Sequence, residues 1–331
     1  MSAPVPRRRF ITQSLLASAS GVLTMQAAQP PTREDAGGKA PEGSAGPCPM
    51  GKIGKLSVSR LILGSNVITF HIHSRGLKFV NNLNRHYNTE EKILETLAVA
   101  ERNGINTIMT QADPKYLRIL KRHRDECGGK LQWIVSPEPK MLSGKPAKAG
   151  EDAAMIARLA DEGVAGMYIH GATGDPWCAA GDPAPILRTL EAIRLNDLPA
   201  GIGGHDINVV RFCEKHNIGV DFYVKTFHHH DYPTAPKPEE LVKPYAEIPV
   251  GFWCREPAET ARLMRDVQKP WIAFKVMAAG AIPPENAFKY AYQNGADFVL
   301  AGMFDFEIAD DVKIAVDAVR AAAARPRPWR A

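Results

Sequence analysis

Short apolar runs alternate with stretches in which apolar residues recur every three or four positions, from residue 60 to residue 323. The runs at 60–64, 105–109, 131–135, 165–169, 199–203, 220–225, 271–276 and 297–301 predict strands. The stretches at 90–103, 114–126, 151–162, 185–195, 208–216, 257–267, 284–294 and 310–323 predict amphipathic helices. Asn103-Gly104, Glu162-Gly163, Asn294-Gly295 and residues 217–219 supply the stops that return a helix to the next strand. Eight strand–helix units without a break predict an α/β fold, a parallel eight-stranded (β/α)8 TIM barrel. A doubly wound sheet is the competing architecture, but no Gly-rich loop opens the first helix. In a barrel of this kind, chemistry is carried by loops that follow the C-terminal ends of the strands.

The first residues do not share this rhythm. Arg7, Arg8 and Arg9 precede Phe10 and a weakly apolar run over 15–23, with Ala27 and Ala28 beyond it. That is the three-part layout of a twin-arginine signal peptide, here residues 1–28. It implies the twin-arginine export machinery as a partner and a periplasmic or secreted bacterial protein. The run is far shorter than the roughly 20 residues needed to cross a bilayer, so no stable membrane span is expected in the mature form. Residues 29–50 are rich in Pro, Gly, Ala and charge and predict a disordered linker. The barrel domain is then expected over 51–324, with 325–331 a flexible tail.

A net charge of +5 on 331 residues is mild, and no basic stripe interleaves with aromatics, so nucleic acid is not an expected partner. The five cysteines (Cys48, Cys127, Cys178, Cys213, Cys254) form no CxxC pair, and their odd count argues against a full disulfide framework.

Several stretches resemble the aldo/keto reductases: 52–64, Leu97 to Thr110 with Asn103-Gly104-Ile105-Asn106, Gly166-Met167-Tyr168-Ile169-His170, and 190–203 followed by Val220-Asp221-Phe222-Tyr223. The resemblance spans most of 52–319 and implies the barrel. That family works with an Asp, a Tyr, a Lys and a His. By the resemblance, the His matches His170, while the Asp position falls on Met109, the Tyr position near Pro114 with Tyr116 close by, and the Lys position near Ser136 and Pro137. After the eighth strand, where the family offers basic residues to the NADP 2′-phosphate, this chain offers Asp305, Glu307, Asp310 and Asp311. The expectation is therefore the fold without the family's usual hydride transfer, with an NADP-dependent oxidoreductase kept as the alternative.

Strand-end residues supply other chemistry. Taking Val220, Phe222 and Val224 as the helix-facing set of their strand, and Ile272, Phe274 and Val276 as that of theirs, puts Lys225 and Lys275 inside the barrel at its top. Two close lysines lower each other's pKa, which makes a base or an amine nucleophile near neutral pH. Expected catalytic residues are thus His170, Lys275 and Lys225. His170, His205 and the run from His228 to His230 follow three neighbouring strands, and with Glu138 they form a candidate site for a divalent metal (Zn, Mn or Fe), read as His170, His205, His228, His230 and Glu138. His71 and His73 form an HxH pair well beyond their strand. Gln111, Asp113, Glu138, Trp177 and Tyr232 mix hydrogen-bonding and flat apolar surfaces, as binding of a small polar, sugar-derived substrate requires. The expected function is an exported enzyme of lyase, isomerase or hydrolase type using His/Lys acid–base chemistry, metal-assisted in one version. A ligand-binding barrel without catalysis is a third reading.

Overall fold

Strands β1 (Met50–Ile53) and β2 (Leu56–Ser59) pair as an antiparallel hairpin, with Gly54 supplying the left-handed turn residue. Strands β3 (Leu61–Gly64), β4 (Thr107–Gln111), β5 (Gln132–Ser136), β6 (Gly166–Ile169), β7 (Ala200–Gly204), β8 (Phe222–Thr226), β9 (Trp271–Phe274) and β10 (Phe298–Ala301) follow. They are all parallel and close into a barrel in the order β10-β3-β4-β5-β6-β7-β8-β9. This computed structural model describes residues 48–74, 76–137, 151–242 and 254–331. The expected (β/α)8 barrel is the observed fold.

The helices are α1 (Lys78–Tyr87), α2 (Glu90–Arg102), α3 (Pro114–Cys127), α4 (Glu151–Asp161), α5 (Gly171–Ala180), α6 (Ala184–Arg194), α7 (Asn208–Lys215), α8 (Pro238–Leu241), α9 (Pro257–Asp266), α10 (Pro284–Gln293) and α11 (Ile308–Ala321). Helices α1, α5 and α8 were not expected from periodicity. α5 reads Gly-Ala-Thr-Gly-Asp-Pro-Trp-Cys-Ala-Ala, with glycines and an internal Pro176 that hide a helical pattern. None of the described helices is long and apolar enough to cross a membrane.

Two apolar clusters separate the inside of the barrel from the helix layer. Ile62, Met109, Ile134, Tyr168, Phe222, Val224, Ile272 and Phe298 fill the interior, and Ile53 and Val58 of the hairpin join them. Leu61, Leu63, Ile108, Trp133, Val135, Met167, Ile202, Tyr223, Trp271, Ala273 and Val299 face the helices. These memberships reverse the expected parity of two strands. Phe222 and Val224 point inward and Tyr223 outward, where its hydroxyl donates to Glu214 Oε1 at 2.6 Å. Ile272 likewise points inward, with Trp271 and Ala273 outside. A polar tip on an aromatic ring reaches the helix layer more easily than it fits a dry barrel interior.

The residues expected as a flexible tail are anchored instead. Asp297, wholly buried before β10, binds Arg325 at 2.9 Å and Arg327 at 2.6 Å. The Arg60 guanidinium lies 3.9 Å from the centre of the Trp329 ring. A buried carboxylate is costly without cationic partners, and the end of the chain brings them. The expected linker also ends early: Cys48 is already buried and Met50 opens β1.

Candidate active site

Alternation along three strands delivers three side chains to the top of the barrel. Met109 faces inward on β4, so Gln111 does too; Tyr168 on β6 sets the same parity for His170, and Gly201 and Gly203 on β7 set it for His205. A Cβ on Gly201 would lie 2.4 Å from the Phe222 ring, so the small residue makes room for an interior aromatic of the neighbouring strand. His170 is also the N-cap of α5: its Nδ1 accepts the Ala172 N–H at 3.2 Å. The neutral ring then carries its proton on Nε2, which sits 3.3 Å from the side-chain amide of Gln111. The contact is to Gln111 Nε2, a second donor, so this tautomer pairs with Gln111 only when the amide turns over to present its oxygen.

His205 is oriented by Asp175. The Asp175 carboxylate accepts the His205 main-chain N–H at 2.9 Å, the Asp206 N–H at 3.0 Å and the His205 ring at Nδ1, 2.7 Å away. With the Nδ1 proton given to Asp175, Nε2 holds the basic lone pair. This contact needs α5 to lie almost on β7. A Cβ on Gly174 would stand 2.3 Å from the Gly203 carbonyl oxygen, and one on Gly171 would be 3.0 Å from the His205 ring. The two glycines thus set the approach that brings Asp175 to His205. The His205 ring lies 5.5 Å from that of Phe274, the last residue of β9.

Lys275 follows immediately, with φ of 58°. A non-glycine residue in this region costs roughly 1–2 kcal/mol and breaks the strand's alternation. So Lys275 reaches the barrel mouth through a backbone turn, not through the strand parity expected of it. Its Nζ lies 3.0 Å from Nε2 of His73, itself at φ of 51° in the loop after β3. Burial lowers the Lys275 pKa from 10.5 to about 7. Burial, then the charges of Lys275, His71 and His205, holds His73 down to about 4. Burial, then His205 and Lys275, does the same for His170, also to about 4. The His205 pKa is lowered by burial, against the pull of Asp175. At neutral pH the mouth therefore holds neutral imidazoles around an amine that titrates within reach of pH 7.

The other expected site residues lie elsewhere. Lys225 shares the outward parity of Tyr223, and its Nζ donates to the His205 carbonyl, the Thr226 carbonyl and Thr226 Oγ1, each at 2.9 Å. It ties the C-terminal ends of the parallel strands β7 and β8 together rather than facing Lys275, because the strand parity is the reverse of that expected. His228 Nε2 accepts the Cys254 N–H at 3.3 Å while its Nδ1 lies 3.0 Å from the His229 carbonyl. His230 Nε2 donates to the Cys254 carbonyl at 2.6 Å. His228 and His230 are thus committed to main chain and do not join His170 and His205. Among the described residues no three His, Cys, Asp or Glu converge as a metal ion requires. Asp113 caps α3 by accepting the Lys115 N–H at 2.8 Å. Trp177 and Tyr232 pack against the helix-layer core, Tyr232 beside the His228 and His229 rings. Glu138 lies outside the described residues. Sequence reasoning left His73 out because a loop position has no period to place it; the HxH spacing was the signal that pointed to it.

No protein-family model matches the sequence, and no curated protein matches it. Among solved structures, a Pseudomonas aeruginosa protein assigned to the aldo-keto reductases is similar at 15% identity and a TM-score of 0.55, over 82% of this chain and 95% of that one. A second structure so assigned from the same organism gives 16% identity and a TM-score of 0.53, over 82% and 94%. The likeness is one of fold.

The loop after β10 is not the basic one that the resemblance to the reductases implies. Met109, where that resemblance puts their Asp, is buried in the barrel interior. After β10 the groups presented are acidic. Asp305 accepts from the Tyr87 hydroxyl at 2.7 Å and pairs with Lys92 at 3.3 Å, while Asp310 and Asp311 stand in the first turn of α11. An Asp305 carboxylate already paired with Lys92, beside further acidic side chains, does not offer a phosphate clamp.

Proposed function

We propose that this chain is an enzyme whose active site is the mouth of the barrel, acting on a small polar substrate by His/Lys acid–base chemistry. One observation carries the reading: the Lys275 amine sits 3.0 Å from His73 at the mouth, on the strand end beside the Asp175–His205 pair. Lys275 is the base that removes a proton next to a carbonyl or carboxylate, because its amine titrates near neutral pH. His205, held in one tautomer by Asp175, passes the proton to or from substrate oxygen. His170, fixed through Gln111, orients a hydroxyl. Elimination and isomerisation use these groups without hydride transfer, and no step needs a metal or a nucleotide. The chain reaches its compartment by twin-arginine export, on the strength of Arg7, Arg8 and Phe10; replacing both arginines with lysine leaves precursor in the cytoplasm, and unimpaired export of that variant contradicts this.

The test is solvent exchange. Hydroxy aldehydes, hydroxy ketones and sugar acids are incubated with the protein in D2O, and deuterium at the carbon beside the carbonyl is read by mass spectrometry. The expected result is catalysed exchange or elimination with at least one of them, abolished by Lys275→Met in a variant that melts like the parent. Exchange that survives Lys275→Met overturns the assignment of the base.

A further inference from the structure

We propose that the substrate is a small polar aldehyde or ketone and that Lys275 binds it covalently, its Nζ forming an imine with the carbonyl carbon at the barrel mouth. This rests on the acid–base reading of the same site and narrows its substrate class, with one change of role: once Nζ is in the imine, His73 Nε2 rather than Lys275 takes the proton beside the former carbonyl carbon. The geometry differs from what a simple base needs. A base must only meet a substrate proton, whereas an amine nucleophile must shed a proton of its own after it attacks. Nε2 of His73, 3.0 Å from Nζ, is an acceptor for that proton, since its ring stays neutral at neutral pH.

The electrostatics of the mouth point the same way. The titratable groups acting on it are His71, His73, His170, His205, Asp175, Lys225 and Lys275. Burial keeps His73 and His170 neutral and lowers His205 and Lys275. Among these described groups the Lys225 ammonium is engaged with the His205 and Thr226 carbonyls, which leaves no strong fixed cation among them to stabilise a carbanion. A protonated imine creates that cation on the substrate itself, at the atom next to the proton to be removed.

The step balances without an oxidant or reductant. The Nζ lone pair bonds to the carbonyl carbon as the C=O π pair moves to oxygen. Nitrogen gives one proton to His73 Nε2, and His73 returns it to oxygen, giving a neutral carbinolamine. His205 Nε2, carrying a proton taken from solvent, delivers it to the departing hydroxyl. The C–O bond breaks, water leaves and the C=N bond forms with one hydrogen still on nitrogen. One amine, one carbonyl and one solvent proton become one protonated imine and one water.

The experiment uses the full chain with dihydroxyacetone or glyceraldehyde as the probe and sodium cyanoborohydride as the trap, at neutral pH, followed by peptide mapping. The expected result is one reduced adduct per chain, on Lys275, formed roughly a hundredfold faster than on an exposed lysine such as Lys55, because a far larger fraction of the amine is neutral. His73→Gln slows trapping without moving its site. Mapping the wild-type chain places the adduct even where a Lys275 variant does not fold. Adducts scattered over surface lysines with Lys275 unmodified, while solvent exchange persists, overturn the imine and leave the acid–base reading standing. Absence of both trapping and exchange overturns the two together.

Discussion

Two groups of histidines sit on the same end of this barrel, and their partners differ. His73 and His205 meet side chains, Lys275 and Asp175, and His170 meets Gln111 at Nε2 while its Nδ1 caps α5. His228 and His230 meet main chain, the amide and carbonyl of Cys254, with the His229 carbonyl on the far side of the His228 ring. A ring bonded to main chain ties two loops together. A ring with a nitrogen facing a movable amide, amine or carboxylate is poised for proton transfer. Three consecutive histidines look in sequence like the stronger functional signal, yet the dispersed set is the one that surrounds an amine of altered basicity.

The widest separation between the two groups is expected in turnover. Lys275→Met removes the amine at similar length, and turnover falls by about a thousandfold while the melting temperature holds. An equal loss in a His228→Phe variant that remains folded dissolves the distinction.

Stability against pH probes the other group. Buried His228 has its pKa lowered from 6.5 to about 4, chiefly by burial. The unfolded ring takes up a proton below pH 6.5 and the folded ring resists until about 4, so the stability from the neutral ring is complete above 6.5 and is lost as pH falls from 6.5 towards 4. Its full size is roughly 3 kcal/mol. His73 and His170 shift the same way and steepen the loss. Urea unfolding at a series of pH values is expected to show the decline, and His228→Phe to shrink it; an unchanged slope in that variant contradicts the burial of a neutral ring.

Within the first group, Asp175→Asn leaves the shape and removes the charge that fixes His205. Turnover is expected to drop about ten- to a hundredfold, with the pH profile displaced. A lower melting temperature with an unmoved pH profile marks Asp175 as structural only. The smallest effect is expected from nucleotide: NADPH at micromolar levels produces no saturable fluorescence quenching, and saturation in that range restores the reductase reading.

The fold was legible because parallel strands covered by helices are apolar runs of fixed length, and each was followed by a helix with clear stops. The same property hid the parity. In β8, Phe222, Tyr223 and Val224 are all apolar enough for either face, and only the reach of the Tyr223 hydroxyl to Glu214 decides it. Lys225 was misplaced for that reason. Lys275 arrived at the mouth despite the same error, because its left-handed backbone ends the strand before parity can act. His170 and His205 were legible as strand ends, whereas His73 depends on the path of a loop and Asp175 on a glycine-rich helix without periodicity.

The central claim is that Lys275 is an amine of near-neutral pKa in the barrel mouth, and competitive amine labelling of the native chain across pH, read peptide by peptide, measures it directly. The account predicts that Lys275 titrates with a midpoint of about 7. A Lys275 midpoint near 10 contradicts it.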